Sequence, residues 1–141
     1  MEEFDIAIIG GGPAGIMAAI AASADLNIVL LEKNSSLGSK LLITGGGRCN
    51  ITNEKPIKKL LNSFHDKNFL KHSFYTFTNE MLLDLFRNRG LDFIVEDNNR
   101  VFPETEKSQD ILAILKYYLK DITIKYNYEV SDIKKEDNFI I

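Results

Sequence analysis

A short apolar run at the start of the chain leads directly into a cluster of glycines. The apolar run covers residues 5 to 9, and the cluster Gly10 to Gly15 opens a segment rich in alanine and isoleucine. A strand, a glycine-rich turn and a helix in this order are typical of a dinucleotide-binding βαβ unit. In such a unit the first glycine allows a tight turn, the second lets a pyrophosphate approach the backbone, and the third lets the helix pack close to the strand.

The next strand supports this interpretation. Residues 27 to 31 form a short apolar run that fits a buried strand, and Glu32 follows it, 22 positions after Gly10. An acidic residue about 20 positions into the unit accepts hydrogen bonds from a ribose hydroxyl in many such folds. The alternative is a surface glutamate at the end of a strand, but the full βαβ context favours the ribose role.

Charge and composition narrow the function classes. The 141 residues, 45% hydrophobic and 26% charged, are typical of one soluble globular domain. A net charge of −3 predicts a protein without a nucleic-acid partner. The acidic start and the early break of the apolar run predict neither a signal peptide nor a membrane span, and hence a cytoplasmic protein with no membrane partner. We expect a small-molecule substrate; the oligomeric state is not predicted.

The single cysteine, Cys49, excludes an internal disulfide, and the chain carries no ligand pattern for zinc or an iron–sulfur cluster. We therefore predict no metal site. A cationic neighbour, Arg48, favours a thiolate in principle, but the redox chemistry of a thiol generally uses a second, resolving cysteine. Cys49 is accordingly not predicted to be catalytic.

His65 and His72 fit a solvated helical surface rather than a metal site or a catalytic pair.

The remaining chain shows further elements. Residues 34 to 53 are predicted to form a long loop, followed by helices near 57–63, 67–73 and 79–88, the last capped by Thr78 and ended by Gly90. Residues 91–95 and 100–103 predict a β-hairpin, and 108–120 predict an amphipathic helix. Strands are expected at 122–126, 128–133 and 139–141.

A second constellation lies in the predicted loop. Gly45, Gly46 and Gly47 expose backbone N–H groups, and Arg48 and Asn50 follow with a fixed cation and a hydrogen-bonding amide. This combination suits a phosphate or the edge of a flavin ring. The alternative is a flexible loop whose Arg48 and Asn50 side chains satisfy local groups.

Together these segments resemble a known family. The Gly10 to Gly15 cluster, Glu32-Lys33, the run from Lys40 to Asn53 and the Arg100 to Pro103 run resemble the bile-acid-inducible (BaiN-like) flavoprotein family, also called the aminoacetone oxidase family. The resemblance implies an α/β fold: a Rossmann-like FAD-binding βαβ domain with a parallel sheet, incomplete, plus a small β-hairpin. It also implies FAD as cofactor, with NAD(P)H or a reduced substrate as electron donor.

The resemblance also assigns roles to individual residues. The FAD pyrophosphate is assigned to Gly10, Gly12, Pro13, Ala14 and Gly15, and the adenosine end to Glu32, Lys33 and Val130. The flavin half is assigned to Lys40, Leu41, Gly45, Gly46, Gly47, Arg48, Cys49 and Asn50. No catalytic acid or base is predicted.

Family members are about three times longer than this chain, so residues 1–141 are expected to be the amino-terminal part of an FAD-binding domain. The substrate domain and a carboxyl-terminal segment that closes over FAD are expected to be absent. We therefore expect weak FAD binding. The predicted function is the FAD-binding portion of an oxidoreductase that transfers hydride through the flavin. The alternatives are a non-catalytic nucleotide-binding module and an NAD-dependent dehydrogenase fragment.

Overall fold

The computed structural model describes residues 2–22 and 25–141. These residues divide into two units, one comprising the chain up to Leu41 together with Leu115–Ile141, and the other Leu42–Ile114. The first is called the nucleotide unit below, and the second the middle unit. No helix in the described ranges combines the length and the apolar character needed to cross a membrane.

The nucleotide unit contains the expected parallel sheet. Strands β1 (Ile6–Ile9), β2 (Ile28–Leu31) and β6 (Thr123–Lys125) lie in the order β1-β2-β6. Helix α1 (Pro13–Ala21) connects the first two strands, which are parallel with Ile6 opposite Ile28. Strand β6 is also parallel to β2, with Val29 opposite Thr123. The α/β class and the parallel sheet predicted from the sequence are confirmed.

Strand β2 is the centre of this unit. All four of its residues are buried, as expected for a strand that is covered on both faces of a parallel sheet. Helix α1 buries Ile16 and Ala19, and the alanines of α1 suit close packing against neighbouring strands. The sheet therefore fixes the carboxyl end of β1 beside that of β2, where the glycine cluster and Glu32 follow.

The end of the chain differs from the prediction. Residues 128–133 are not a strand; short strands β7 (Lys134–Lys135) and β8 (Phe139–Ile140) instead form an antiparallel pair. The N–H of Tyr128 still donates to the carbonyl of Glu32, but Asn127 has φ = 54°. This left-handed residue turns the chain after β6, so the hydrogen-bonded ladder cannot continue.

Three α-helices lie wholly within the middle unit. The structure shows α3 (Ile57–Leu61), α4 (Lys67–Thr76) and α5 (Asn79–Arg87). Helix α2 (Ser39–Ile43) and helix α6 (Ser108–Tyr118) each run from one unit into the other. The Thr78 hydroxyl accepts a hydrogen bond from the Met81 N–H at 3.1 Å, which confirms Thr78 as the cap of α5. Gly90 follows this helix with φ = 79°, as predicted for its end.

The predicted hairpin is part of a small antiparallel sheet in the middle unit. Strands β4 (Phe93–Glu96) and β5 (Arg100–Pro103) pair, and β3 (Thr52–Asn53) adds to the other side of β5. The prediction that residues 34–53 form a loop was wrong in part. The segment holds α2, a 3₁₀ turn at Thr44–Gly47 and β3, because buried Leu41 and the pairing of β3 with β5 fix it.

Candidate functional site

A cleft of about 460 Å³ lies at the carboxyl ends of the strands of the nucleotide unit. Ligand sites typically have volumes of about 300–1,000 Å³, and open α/β sheets bind ligands at this edge. Four segments line the cleft, namely residues 9–13, 31–34, 38–40 and 128–130. The glycine cluster and the end of β2 therefore face the same space.

Three glycines of the cluster have the environments that a dinucleotide fingerprint requires. Gly10 has φ = 101°, a left-handed conformation that permits the turn after β1. A Cβ atom on Gly12 would meet nothing within 4 Å, whereas one on Gly15 would lie 1.9 Å from the carbonyl oxygen of Gly10. Gly12 thus leaves room for a ligand at the backbone, and Gly15 allows α1 to approach the turn.

The amino terminus of α1 supplies donors at the same cleft. Gly12 is its cap residue and provides no side-chain cap, and Pro13 is the first helical residue. Unpaired N–H groups and the helix dipole at such an end favour an anion. Gly12 and Pro13 both line the cleft, so this end of α1 is suited to a pyrophosphate.

Glu32 connects the end of β2 to the glycine cluster. The Gly11 N–H donates to its Oε2 at 2.7 Å. The backbone N–H and the side-chain amide of Asn34 donate to its Oε1 at 2.7 and 2.6 Å. A carboxylate has about four acceptor sites, so three donors leave capacity on Oε2 for one ligand hydroxyl.

The ionised form of Glu32 is favoured although only 6% of the residue is exposed. Burial raises the pKa of this carboxyl, but the N–H groups of Asn34 and Gly11, the Asn34 amide and the charge of Lys33 together hold it below its usual value. Glu32 is therefore a preorganised hydrogen-bond acceptor rather than a general acid.

The structure brings several other predicted residues to this cleft. Lys33, Lys40 and Val130 line it, as do Gly10, Gly12 and Pro13. Leu41 is 8% exposed and is a core residue rather than part of the lining. Ala14 and Gly15 lie in the first turn of α1, directly after the lining residue Pro13.

The second glycine constellation belongs to the middle unit. Gly45, Gly46 and Gly47 have φ of 57°, 69° and 88°, so the backbone is left-handed throughout this turn. A Cβ on Gly45 would lie 2.9 Å from the N–H nitrogen of Asn50 and 3.0 Å from the Phe102 ring. The turn is therefore closely packed against its own unit and requires glycine at position 45.

Arg48 is held by local partners. Its Nη1 donates to Glu96 at 2.6 Å and to Glu106 at 2.9 Å, and its guanidinium lies 4.2 Å from the centre of the Phe102 ring. The hydrogen bond from Arg48 lowers the pKa of the Glu96 carboxyl, so this pair is ionised. These contacts give Arg48 a local structural role; its predicted contact with a cofactor stays a prediction.

Cys49 and Asn50 also interact within the middle unit. Cys49 is 2% exposed, and burial raises the pKa of its thiol despite a hydrogen bond with Thr44. A buried neutral thiol is a poor nucleophile. The Asn50 amide, oriented by its hydrogen bonds, donates to the carbonyls of Thr52 at 3.0 Å and Val101 at 3.3 Å.

The family assignment follows from comparison with known proteins. The model of the family described as "HI0933-like protein Rossmann domain" matches residues 4–141. The chain belongs to this family. The match agrees with the glycine geometry of the cleft and confirms the resemblance drawn from the sequence motifs.

Curated relatives of this Rossmann domain include three enzymes. The 3-dehydro-bile acid delta(4,6)-reductase of Clostridium scindens is 33% identical, with 85% of this chain and 30% of that protein covered. The ribosomal RNA dihydrouridine synthase of Escherichia coli is 30% identical, with 97% and 34% covered. The mitochondrial dihydrolipoyl dehydrogenase of Caenorhabditis elegans is 39% identical, over 52% of this chain and 13% of that protein. The chain spans about a third of the length of the first two.

Sequence reasoning missed several residues of the Rossmann site. Gly11 received no role of its own in the sequence prediction, yet a Cβ there would lie 2.3 Å from Leu37 and 2.9 Å from Glu32 Oε2. Asn34 was placed in a loop, although it donates twice to Glu32. Side-chain bonds to the backbone two residues on are typical of Asp, Asn, Ser and Thr rather than Glu, so the local pattern gave no signal for this contact. Tyr128 and Glu129 line the cleft through a turn that no local pattern predicts.

Proposed function

We propose that this chain is the FAD-binding portion of a flavin-dependent oxidoreductase. The observation that carries the proposal is the cleft in which Gly12, the amino end of α1 and the carboxylate of Glu32 face one space. These groups match the pyrophosphate and ribose of an adenine dinucleotide. The match to relatives that include dihydrolipoyl dehydrogenase supports a flavin dinucleotide.

The residues present fit the cofactor. The open space at Gly12 and the donors at the start of α1 would hold the pyrophosphate, and Glu32 Oε2 would accept from the ribose. Val130 and Lys33 would border the adenosine end, and Lys40 the side toward the flavin. Bound FAD supplies hydride transfer, with NAD(P)H or a reduced substrate as the source of electrons.

The names of two relatives indicate a reaction class for the whole protein. One is a bile acid delta(4,6)-reductase, and the other a dihydrouridine synthase. A 3-oxo steroid with such double bonds and the uracil ring both contain a carbon–carbon double bond conjugated with a carbonyl. We therefore infer that the whole protein adds a hydride and a proton across such a bond. The role of this chain in that reaction is to bind and orient the dinucleotide.

Comparison of the affinities for two dinucleotides tests the identity of the cofactor. The purified chain is titrated with FAD and separately with NAD, using equilibrium dialysis to measure both ligands in the same way. We expect saturable FAD binding, weak in absolute terms, and at least tenfold weaker binding of NAD. Equal or tighter binding of NAD would favour the dehydrogenase alternative and overturn the assignment of FAD.

An activity assay distinguishes an active enzyme from a non-catalytic nucleotide-binding module. The chain is mixed with FAD, NADPH and an artificial electron acceptor, and acceptor reduction is followed. We expect no flavin-dependent turnover above that of free FAD, because the groups described in the cleft match the pyrophosphate and ribose of the cofactor rather than a substrate. Turnover above this background would show that residues 1–141 form an active site on their own.

A further inference from the structure

Positive charge is concentrated in one short part of the middle unit. Residues 55–77 contain five lysines and one aspartate, although the whole chain has a net charge of −3. Lys58 and Lys59 lie on α3, and Lys67 and Lys71 on α4, which packs against α3. All four are exposed. The chain therefore has a local basic surface although its total charge is negative.

These lysines are available to a ligand. None of the four forms an ion pair with a residue in the described ranges, whereas Arg48, Arg87 and Arg100 do. The one aspartate of the segment, Asp66, is used as the cap of α4, where its carboxylate accepts from the Phe69 N–H. Unpaired exposed cations are suited to the phosphates of a nucleic acid.

An exposed aromatic ring lies beside the charges. A shallow concave surface along α4, of about 600 Å³, is lined by Asn68, Lys71, His72, Tyr75 and Thr76. Tyr75, which lines this surface one helical turn after Lys71, is 54% exposed. Exposed rings beside cations can stack with unpaired bases while the cations contact the backbone. The polar residues Asn68 and Thr76 suit a hydrogen-bonding ligand better than a lipid surface.

We propose that this face of α4, with the lysines of α3, binds unpaired segments of RNA. The inference rests on the proposed function, in which a carbon–carbon double bond conjugated with a carbonyl is reduced. RNA is the class of substrate that would carry this bond, in its uracil rings. The name of the Escherichia coli relative, a ribosomal RNA dihydrouridine synthase, is consistent with that class. The expectation of no nucleic-acid partner depended on net charge, and this surface is the place to test it.

Fluorescence anisotropy with a labelled 20-nucleotide single-stranded RNA of mixed sequence tests the proposal. The double variant Lys67→Gln/Lys71→Gln is compared with Lys134→Gln/Lys135→Gln, which removes the same charge from the exposed strand β7. We expect the first variant to bind about tenfold more weakly and to lower the salt slope by about 1.4, because each phosphate contact on a single strand contributes about 0.7. The β7 variant should bind as the unsubstituted chain does.

A second variant tests stacking. Tyr75→Ala should weaken RNA binding by roughly 5- to 160-fold, which corresponds to the loss of one stacked base. The salt slope should not change, since no charge is removed. Thermal unfolding checks that each variant remains folded, which is expected for exposed residues.

Other outcomes would overturn the proposal. Equal losses in the α4 and β7 variants would show non-specific charge attraction. Binding of the chain to vesicles containing 30% phosphatidylserine, lost in the α4 variant and without RNA binding, would show a membrane surface instead. FAD affinity is measured on the same variants. If the chain binds RNA but not FAD, only the assignment of FAD as cofactor is overturned. If it binds FAD but not RNA, only the proposed RNA-binding surface is overturned.

Discussion

At the scale of single residues, Glu32 and Gly11 depend on each other. Gly11 has no side chain, so its N–H can approach Glu32 Oε2 to 2.7 Å while Leu37 packs above it. Glu32 is thereby fixed in the cleft before any ligand binds. Preorganisation of this kind reduces the cost of ordering a site on binding.

Two adjacent glycines are predicted to respond differently to substitution. Gly11→Ala places a Cβ 2.3 Å from Leu37, and overpacking of this kind costs about 1–3 kcal/mol. Gly12→Ala places its Cβ in open space, so the chain should keep its stability and lose dinucleotide affinity. Thermal unfolding and FAD titration of both variants check this. Equal melting temperatures for the two variants would contradict the proposed packing.

Glu32 is predicted to make stability depend on pH. Its pKa is lowered in the folded state, so its contribution is complete above the unfolded value of about 4.3 and is lost as the pH falls through the folded pKa. Glu32→Gln turns an amide N–H toward backbone donors and should cost about 1–3 kcal/mol at pH 7. Urea unfolding of both proteins at pH 7 and pH 3 measures the difference. The difference should shrink at pH 3; a constant difference would contradict a lowered pKa of Glu32 in the folded state.

At the scale of elements, short helices and turns are fixed by a few specific contacts. Helix α5 begins at the Thr78 cap, and the Thr44–Gly47 turn is tied to the antiparallel sheet through Arg48. Local sequence predicts a helix cap such as Thr78 well, because its hydroxyl and the Met81 N–H are three residues apart. It cannot predict the ion pairs of Arg48, since Glu96 and Glu106 lie 48 and 58 residues from Arg48.

The Thr78 cap gives a simple stability prediction. Thr78→Ala removes the acceptor for the Met81 N–H, and loss of such a cap costs typically about 1 kcal/mol. Thr78→Ser keeps the hydroxyl and should retain most of that stability. Urea unfolding distinguishes the two variants. Equal stability of the alanine and serine variants would mean that the hydroxyl does not cap α5.

Arg48 is predicted to hold the glycine turn in place. Arg48→Lys keeps the charge but loses the planar group that contacts two carboxylates and the Phe102 ring. Amide hydrogen exchange in residues 45–50 should become faster. The matched control is Arg87→Lys, whose two ion pairs lie within α5 and should leave the turn unchanged. Unchanged exchange in the Arg48 variant would show that these contacts do not order the turn.

At the scale of the whole molecule, much of the nucleotide unit was predictable. The order of strand, glycine turn, helix and strand is local, and each of these elements was predicted close to its observed bounds. The segment after β6 was not predictable, because its course depends on a left-handed Asn127 and on hydrogen bonds to Asn34 and Glu32. Residues 128–130 reach the cleft only through these distant contacts.

The central claim is that the cleft of the nucleotide unit binds the adenosine diphosphate half of FAD. Isothermal titration of the chain with FAD and with FMN tests it directly, because FMN lacks the adenosine and one of the two phosphates. We predict measurable FAD binding that Gly12→Ala weakens at least tenfold, and no FMN binding in the same concentration range. Equal affinity for FMN and FAD, or FAD binding unaffected by Gly12→Ala, would contradict the claim.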